Sequence, residues 1–328
     1  MKNILITGGG GYVGSRLVPY LLEKKYNVRV IDWFLFDPHI FDYLQNLPSL
    51  DTIKGDIRDQ KLLNKCLEDI DAVIHLAAIS NDPSCDLDPQ LTRSVNYDAV
   101  LTLIDSAKKS KIKRFINASS ASVYGIKEDK NVTEDLSIEP ITLYAKYKAE
   151  TENYLMEQTS ADFSTVSIRA ATLCGYAPKL RLDLTVNILT HHAIRKGKIT
   201  VFGGEQKRPN LHIQDIIYLY DMLLKIDNEK ISGKCFNAGF ENFKVKEIAR
   251  LVKQTLKSNV EIETIPSNDQ RSYHISSQKI EKELGFKPQY NIVNAIMELE
   301  SAFNSNKIKD PDNPKYYNVQ FMKENKIT

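Results

Sequence analysis

The chain has 328 residues, 42% hydrophobic and 26% charged, a composition that excludes disorder for most of its length and leaves room for two folding units. A formal net charge of +2 gives no global basic field to hold nucleic acid or an anionic membrane, so an anionic ligand must be gripped locally. No apolar run reaches the roughly 18 residues of a membrane span. Met1-Lys2 leads directly into a strand-like Ile4-Leu5-Ile6 without a signal-peptide layout, and a cytoplasmic protein is expected. Cys66, Cys85, Cys174 and Cys235 are widely spaced with no C-x-x-C pair, which predicts reduced thiols and no metal knuckle.

Up to about Arg169, short β-branched runs alternate with helical periodicity. Residues 4–7 predict a strand; Val13, Leu17, Val18, Leu21 and Leu22 then follow one helical stripe, and residues 28–31 make the next strand. The series continues with strands at 52–54, 72–76, 115–118 and 163–169 and with helices over 91–110 and 144–158. The unbroken apolar stretch 72–78 suits a strand covered on both faces by crossover helices. The fold class is therefore α/β, a doubly wound parallel sheet over 1–170 with a smaller C-terminal lobe over 171–328 that returns some segments to the sheet. That lobe carries predicted helices at 186–194, 213–224, 245–255 and 292–303, and the polar tail 307–328 is expected to be partly mobile.

Thr7-Gly8-Gly9-Gly10-Gly11-Tyr12-Val13-Gly14 follows a strand and opens a helix, placing Gly8, Gly11 and Gly14 at the positions of a dinucleotide loop. One glycine makes the tight turn, one lets backbone approach a pyrophosphate, and one lets helix and strand pack closely, with the helix N-terminus facing the phosphates. Asp32 ends the second strand, where a carboxylate accepts hydrogen bonds from the adenosine ribose and repels a 2′-phosphate. Trp33 and Phe34 follow rather than an arginine, so NAD is expected in preference to NADP.

Tyr144 and Lys148 stand four residues apart on one face of a predicted helix. A nearby cation favours a phenolate and brings a tyrosine towards acid/base competence at neutral pH. The same spacing also occurs on ordinary solvated helices. Upstream, the strand at 115–118 runs into Ser119-Ser120-Ala121-Ser122-Val123-Tyr124-Gly125, hydroxyls at the carboxyl end of a parallel strand, where such sheets bind ligands. Ser119 and Ser122 are read equally well as strand-end caps, Ser120 less so.

In this order, the glycine loop, Asp32, Gly55-Asp56-Ile57, Leu76-Ala77-Ala78, Val95-Asn96, Ser119–Gly125 and Tyr144-x-x-x-Lys148 resemble an extended short-chain dehydrogenase/reductase of the nucleotide-sugar epimerase/dehydratase type. The resemblance runs on through Arg169, Cys174-Gly175, Leu180–Leu184 with Asn187, Arg208–Asp215 and Asp269–Tyr273. It implies a Rossmann sheet, NAD as cofactor, a nucleotide-sugar substrate and a homodimer built from the helices at 91–110 and 144–158. By the same resemblance Tyr144 is the acid/base, Lys148 lies on the nicotinamide ribose, and Ser120 bonds the reacting hydroxyl. The cofactor is lined by Gly8, Gly11, Tyr12, Val13, Gly14, Asp32, Asp56, Ile57, Leu76, Ala77, Ala78 and Asn96. Asp56 has a second reading as the cap of a helix starting near Gln60. On the substrate side stand Ser80, Ser120, Ser122, Thr172 and Asn187, with Arg181, Arg208 and Arg271 for a pyrophosphate, which planar guanidinium forks suit. Thr172 occupies the place of the asparagine usual in sugar epimerases, and His212 reads as structural.

Within this type a 4,6-dehydratase carries an acidic residue immediately after the strand-end hydroxyl. This chain has Ala121-Ser122 there. The residues fit an epimerase acting at sugar C4, with a 4-dehydrogenase or 4-ketoreductase as the alternative and dehydration disfavoured. A non-catalytic dinucleotide sensor is the reading from another class, and the Tyr144–Lys148 pair argues against it.

Overall fold

The computed structural model describes residues 1–129, 131–267 and 272–327. Six strands, β1 (Asn3–Thr7), β2 (Asn27–Asp32), β3 (Leu50–Lys54), β4 (Ala72–His75), β5 (Arg114–Ser120) and β6 (Ser164–Ala170), join a seventh, Lys234–Ala238, in one parallel sheet. Its spatial order is Lys234–Ala238, β6, β5, β4, β1, β2, β3. Every residue of β4 is buried, as expected of a central strand covered on both sides. The chain builds outward from β1 to β3 and then restarts on the other side of β1 with β4, so the carboxyl ends of β1 and β4 part at a topological switch point, where open α/β sheets hold ligands.

The helix expected over 91–110 is interrupted. Pro89–Arg93 and Ala99–Lys109 are joined by a wide π-type turn, Ser94–Asp98, which brings Val95 to the wall of the cleft. The helix Leu143–Glu157 starts one residue earlier than its periodicity indicates, because the Thr142 hydroxyl accepts a hydrogen bond from Ala145 N at 3.2 Å and caps it. Val95, Val100, Leu103, Tyr147 and Leu155 on these two helices are all buried within the single chain, so they carry no argument for a dimer.

Past Ala170, β7 (Thr172–Cys174), β9 (Lys207–His212) and the strand Glu241–Lys244 form a small sheet, and β8 (Lys198–Phe202) pairs with Glu261–Ile265. They enclose a separate apolar cluster with Val186, Leu189, Ile199, Ile248, Val252 and Ile296. The helix expected through residue 194 is regular only over Thr185–His191; a wider turn, His192–Lys196, follows and stops at Gly197, whose φ of +63° suits glycine.

The C-terminal region departs most from expectation. Residues 307–327 are folded onto the body, with a turn at Pro314–Tyr316 and a helix at Asn318–Glu324, and Ile308, Tyr316, Asn318 and Met322 are buried. Apolar residues spaced through a polar segment anchor it. No helix among the described residues is long and apolar enough to cross a membrane.

Candidate active site

A cleft of about 620 Å³ opens at the switch point and runs from β2 to the second lobe. Its floor is the glycine loop. Gly8 adopts φ +74°, its N–H bonds Ile31 O at 2.9 Å, and a Cβ there would lie 2.5 Å from Ala77 N, so no other residue fits between β1 and the end of β4. A Cβ on Gly14 would lie 2.2 Å from Gly9 O, which is the close packing of loop on helix that this position requires. At Gly11 only Gly8 O comes near, at 3.3 Å, so the backbone is open to a ligand.

Asp32 sits at the end of β2 with one oxygen accepting from Gly10 N at 2.9 Å and the other from Phe34 N at 2.6 Å. Burial raises its pKa and these two N–H groups counter the rise. Each oxygen keeps a second lone pair for a ribose hydroxyl. Ile57, Leu76, Ala77, Ala78, Tyr12 and Val13 line the same cavity. The Tyr12 hydroxyl donates to Gly175 O at 2.6 Å and so ties the loop to the second lobe.

Two expected cofactor contacts are placed differently. The Asn96 side chain lies behind the wall, bracketing Ile79 by accepting from its N–H at 2.8 Å and donating to its carbonyl at 2.9 Å. It shapes the loop after β4 rather than touching the cleft. Asp56 Oδ2 accepts from Arg58 Nη2 and Nε at 2.7 and 2.9 Å; burial opposes the carboxylate charge, but Arg58 outweighs this and holds the carboxyl below its ordinary range. Asp59, not Asp56, caps the helix Gln60–Cys66.

At the far end of β5 the Ser120 and Ser122 hydroxyls lie 2.9 Å apart, and Ser120 Oγ also accepts from Ser122 N at 3.2 Å, so the serine expected least as a cap is the one that caps the turn Ala121–Tyr124. Tyr144 and Lys148 face the same space. Lys148 Nζ is 5.8 Å from the Tyr144 ring centre and donates to Ala118 O at 2.7 Å. Burial brings the Lys148 ammonium down to about 8. The lowering expected for Tyr144 is absent here: burial dominates and pushes the phenol up, with Cys85 and Asp82 adding to the rise and Arg181 opposing it.

On the substrate side, Thr172, Ser80, Arg181 and Arg208 line the cavity. Arg181 forks onto Asp183 at 2.9 and 3.1 Å and donates to Ser80 Oγ at 3.3 Å. Burial disfavours both charges of this pair, and their mutual attraction overrides it, raising Arg181 and lowering Asp183. Arg208 lies 5.3 Å from the Tyr273 ring centre at the other end of the cavity. Asn187, expected on the substrate side, does not line the cavity: fully buried, it accepts from Gly175 N at 3.0 Å and donates to Arg181 O at 2.9 Å, bracing the strap that carries Arg181. Arg271 lies outside the described residues. His212 is structural, accepting from Gln214 N at 3.1 Å as a helix cap.

Three features escape the sequence reading. Asp82 lines the reacting end and accepts from the Thr142 hydroxyl at 2.5 Å. Lys179, buried above the glycine loop, donates its backbone N–H to Ser15 Oγ at 3.1 Å, and burial, then the neighbouring Arg181, bring its ammonium down to about 7. Asn318, Val319, Met322 and Ile327 of the C-terminal region complete the wall.

Residues 4–239 match the NAD dependent epimerase/dehydratase family. The chain is similar to the UDP-glucose 4-epimerase of Lactobacillus helveticus, 28% identical with 90% of this chain and 94% of that one covered. It is also similar to the dTDP-D-glucose 4,6-dehydratase of Bos taurus, 28% identical over 88% of this chain and 84% of that one. Among solved structures, the UDP-glucuronic acid 4-epimerase of Bacillus cereus, in complex with UDP-glucuronic acid and NAD, superposes with a TM-score of 0.82 at 26% identity, covering 92% of this chain and 99% of that one.

Proposed function

The chain belongs to the NAD dependent epimerase/dehydratase family, and on that premise we propose that it is an epimerase acting at C4 of a nucleoside diphosphate sugar, with Tyr144 as acid/base. The residues fit the dinucleotide: the glycine loop leaves backbone open at Gly11, Asp32 presents carboxylate lone pairs at the end of β2, and Lys148 stands at the opposite end of one continuous cleft. NAD, when bound there, supplies the hydride acceptor and donor. Tyr144 takes the proton of the sugar hydroxyl and returns it, Ser120 hydrogen-bonds that hydroxyl, and Lys148 holds the ribose. Arg181 and Arg208 take the pyrophosphate, with Tyr273, Thr200 and Phe202 around the nucleotide end.

The observation that carries epimerisation over dehydration is the residue after Ser120. Ala121 is 1% exposed, so the position offers neither acid nor base to expel water from the sugar. Dehydration keeps one supporting observation, Asp82 at the reacting end, a carboxylate that could serve from another element. NAD-linked 4-dehydrogenation or 4-ketoreduction differs only in exchanging cofactor each cycle.

Incubation with UDP-, GDP-, CDP- and dTDP-sugars tests the reading. An epimer of unchanged mass and no net change in NADH supports it. Loss of one water identifies a dehydratase, and stoichiometric NADH formation or consumption a dehydrogenase or ketoreductase.

A further inference from the structure

Asn318, 5% exposed, is the point at which the C-terminal helix meets both halves of the cleft. Its backbone N–H donates to Asp183 Oδ2 at 3.1 Å, its side-chain N–H to Ser80 Oγ at 2.9 Å, and its side-chain oxygen accepts from Lys179 Nζ at 3.0 Å. Asp183 holds Arg181, and Ser80 accepts from Arg181 as well, so one side chain aligns the ammonium above the glycine loop and the guanidinium towards the substrate. One turn on, the Phe321 ring packs at a tilt against Phe36 with ring centres 4.6 Å apart, and Lys179 Nζ lies 3.8 Å from the centre of that same Phe36 ring. Met322 packs into the apolar cluster that contains Ile57, Cys85 and Val95, while Val319 and Ile327 face the cavity.

From this we infer that the C-terminal helix is part of the cofactor site, with Asn318 as its latch: the helix closes the cleft between Phe36 and the loop after β4, and the dinucleotide leaves only when the helix lifts. The inference rests on the reading of the cleft as an NAD site and deepens it, since an enzyme that returns its hydride to the same substrate gains from a cofactor that stays bound through the cycle. Lifting the helix breaks three hydrogen bonds of the buried Asn318, one of them to the Asp183 carboxylate, and exposes Met322, so opening is rare on the timescale of free side-chain motion. Lys179 and Asn318 position the wall; neither is a catalytic residue here.

The test is the release rate of NAD from the full-length protein, followed as loss of bound nucleotide after dilution into excess competing dinucleotide. Asn318→Ala and Phe321→Ala are each expected to speed release about ten-fold or more, the effect of losing a buried hydrogen-bond set or an aromatic contact. Phe321→Ala should change UDP affinity less than three-fold. A chain ending at Tyr317 should release faster still, and if it does not fold the two point variants decide. Release at the wild-type rate in both variants, with unchanged melting temperature, overturns the latch. Absence of turnover on every nucleotide sugar by the wild-type protein would instead overturn the epimerase reading, and the release measurement stands apart from it.

Discussion

Lys148 Nζ is 2.7 Å from Ala118 O and 5.8 Å from the centre of the Tyr144 ring, so the ammonium is tethered to the end of β5 beside the ring of Tyr144. A buried lysine whose ammonium has come down from 10.5 to about 8 is held at a cost to stability. Between pH 8 and 10.5 the unfolded chain binds the extra proton, so stability rises with pH across that window and the cost is complete below it. Lys148→Met is therefore expected to raise unfolding stability at pH 7 by about 1–2 kcal/mol, after allowing for the lost hydrogen bond. The gain should shrink towards pH 10 while NAD affinity falls. Denaturant midpoints at pH 6.5, 8 and 9.5 check it, and a destabilised variant at every pH counts against the burial argument.

Asp32 is expected to set cofactor choice through the same carboxylate that holds the loop. Its oxygens bond Gly10 N and Phe34 N, so a 2′-phosphate would meet an anchored negative charge. Like charges about 4 Å apart near a protein surface repel by roughly 4 kcal/mol, and NAD is expected to bind at least ten-fold tighter than NADP. Asp32→Asn should narrow that ratio and weaken NAD, because an amide nitrogen cannot accept from Phe34 or Gly10. Equal titration constants for the two dinucleotides on the wild-type protein would refute the assignment.

Arg181 and Asp183 form a buried pair, and removing one partner strands the other. Asp183→Ala is expected to cost about 3–5 kcal/mol of stability. Changing both, Arg181→Met with Asp183→Leu, should recover most of that loss and still weaken nucleotide-sugar binding ten-fold or more, separating the structural role of the pair from the proposed pyrophosphate role of Arg181. Unchanged substrate affinity in the stable double variant would leave Arg181 as a packing residue.

What could be read from the chain alone follows from the range of the interactions involved. The glycine loop, Asp32 and the Tyr144–Lys148 helix are local patterns whose geometry is set within a few residues, and they fall where their spacing placed them. Asn96 and Asn187 stand inside motifs that imply ligand contacts, yet they spend their amides on the Ile79 and Gly175 backbone, a pairing visible only once distant loops meet. The C-terminal segment was the opposite case. Its composition is polar, and nothing in it announces that Asn318 and Met322 are buried against residues more than 200 positions away, among them Ser80. Tyr144 shows the same limit in electrostatics: the spacing gives the cation, but burial decides the direction in the cofactor-free protein.

That last point makes Tyr144 the sharpest test of the proposed chemistry. Burial, Cys85 and Asp82 favour the neutral phenol, so the base form has to be assembled by ligands and by Lys148 together. A phenolate base loses its function as pH falls through its effective pKa, and turnover should therefore rise with pH along an acid limb. Lys148→Met should move that limb to higher pH, since the cation favouring phenolate is gone. Tyr144→Phe keeps the ring, the glycine loop and the arginines while removing the proton acceptor, so NAD and nucleotide affinity should persist and turnover should fall roughly 10²–10⁴-fold. Ser120→Ala combined with Tyr144→Phe should be little worse than Tyr144→Phe alone, because groups acting on one proton are non-additive. Turnover of Tyr144→Phe near the wild-type level across the pH range would make the phenol a packing residue and remove the centre of the mechanism.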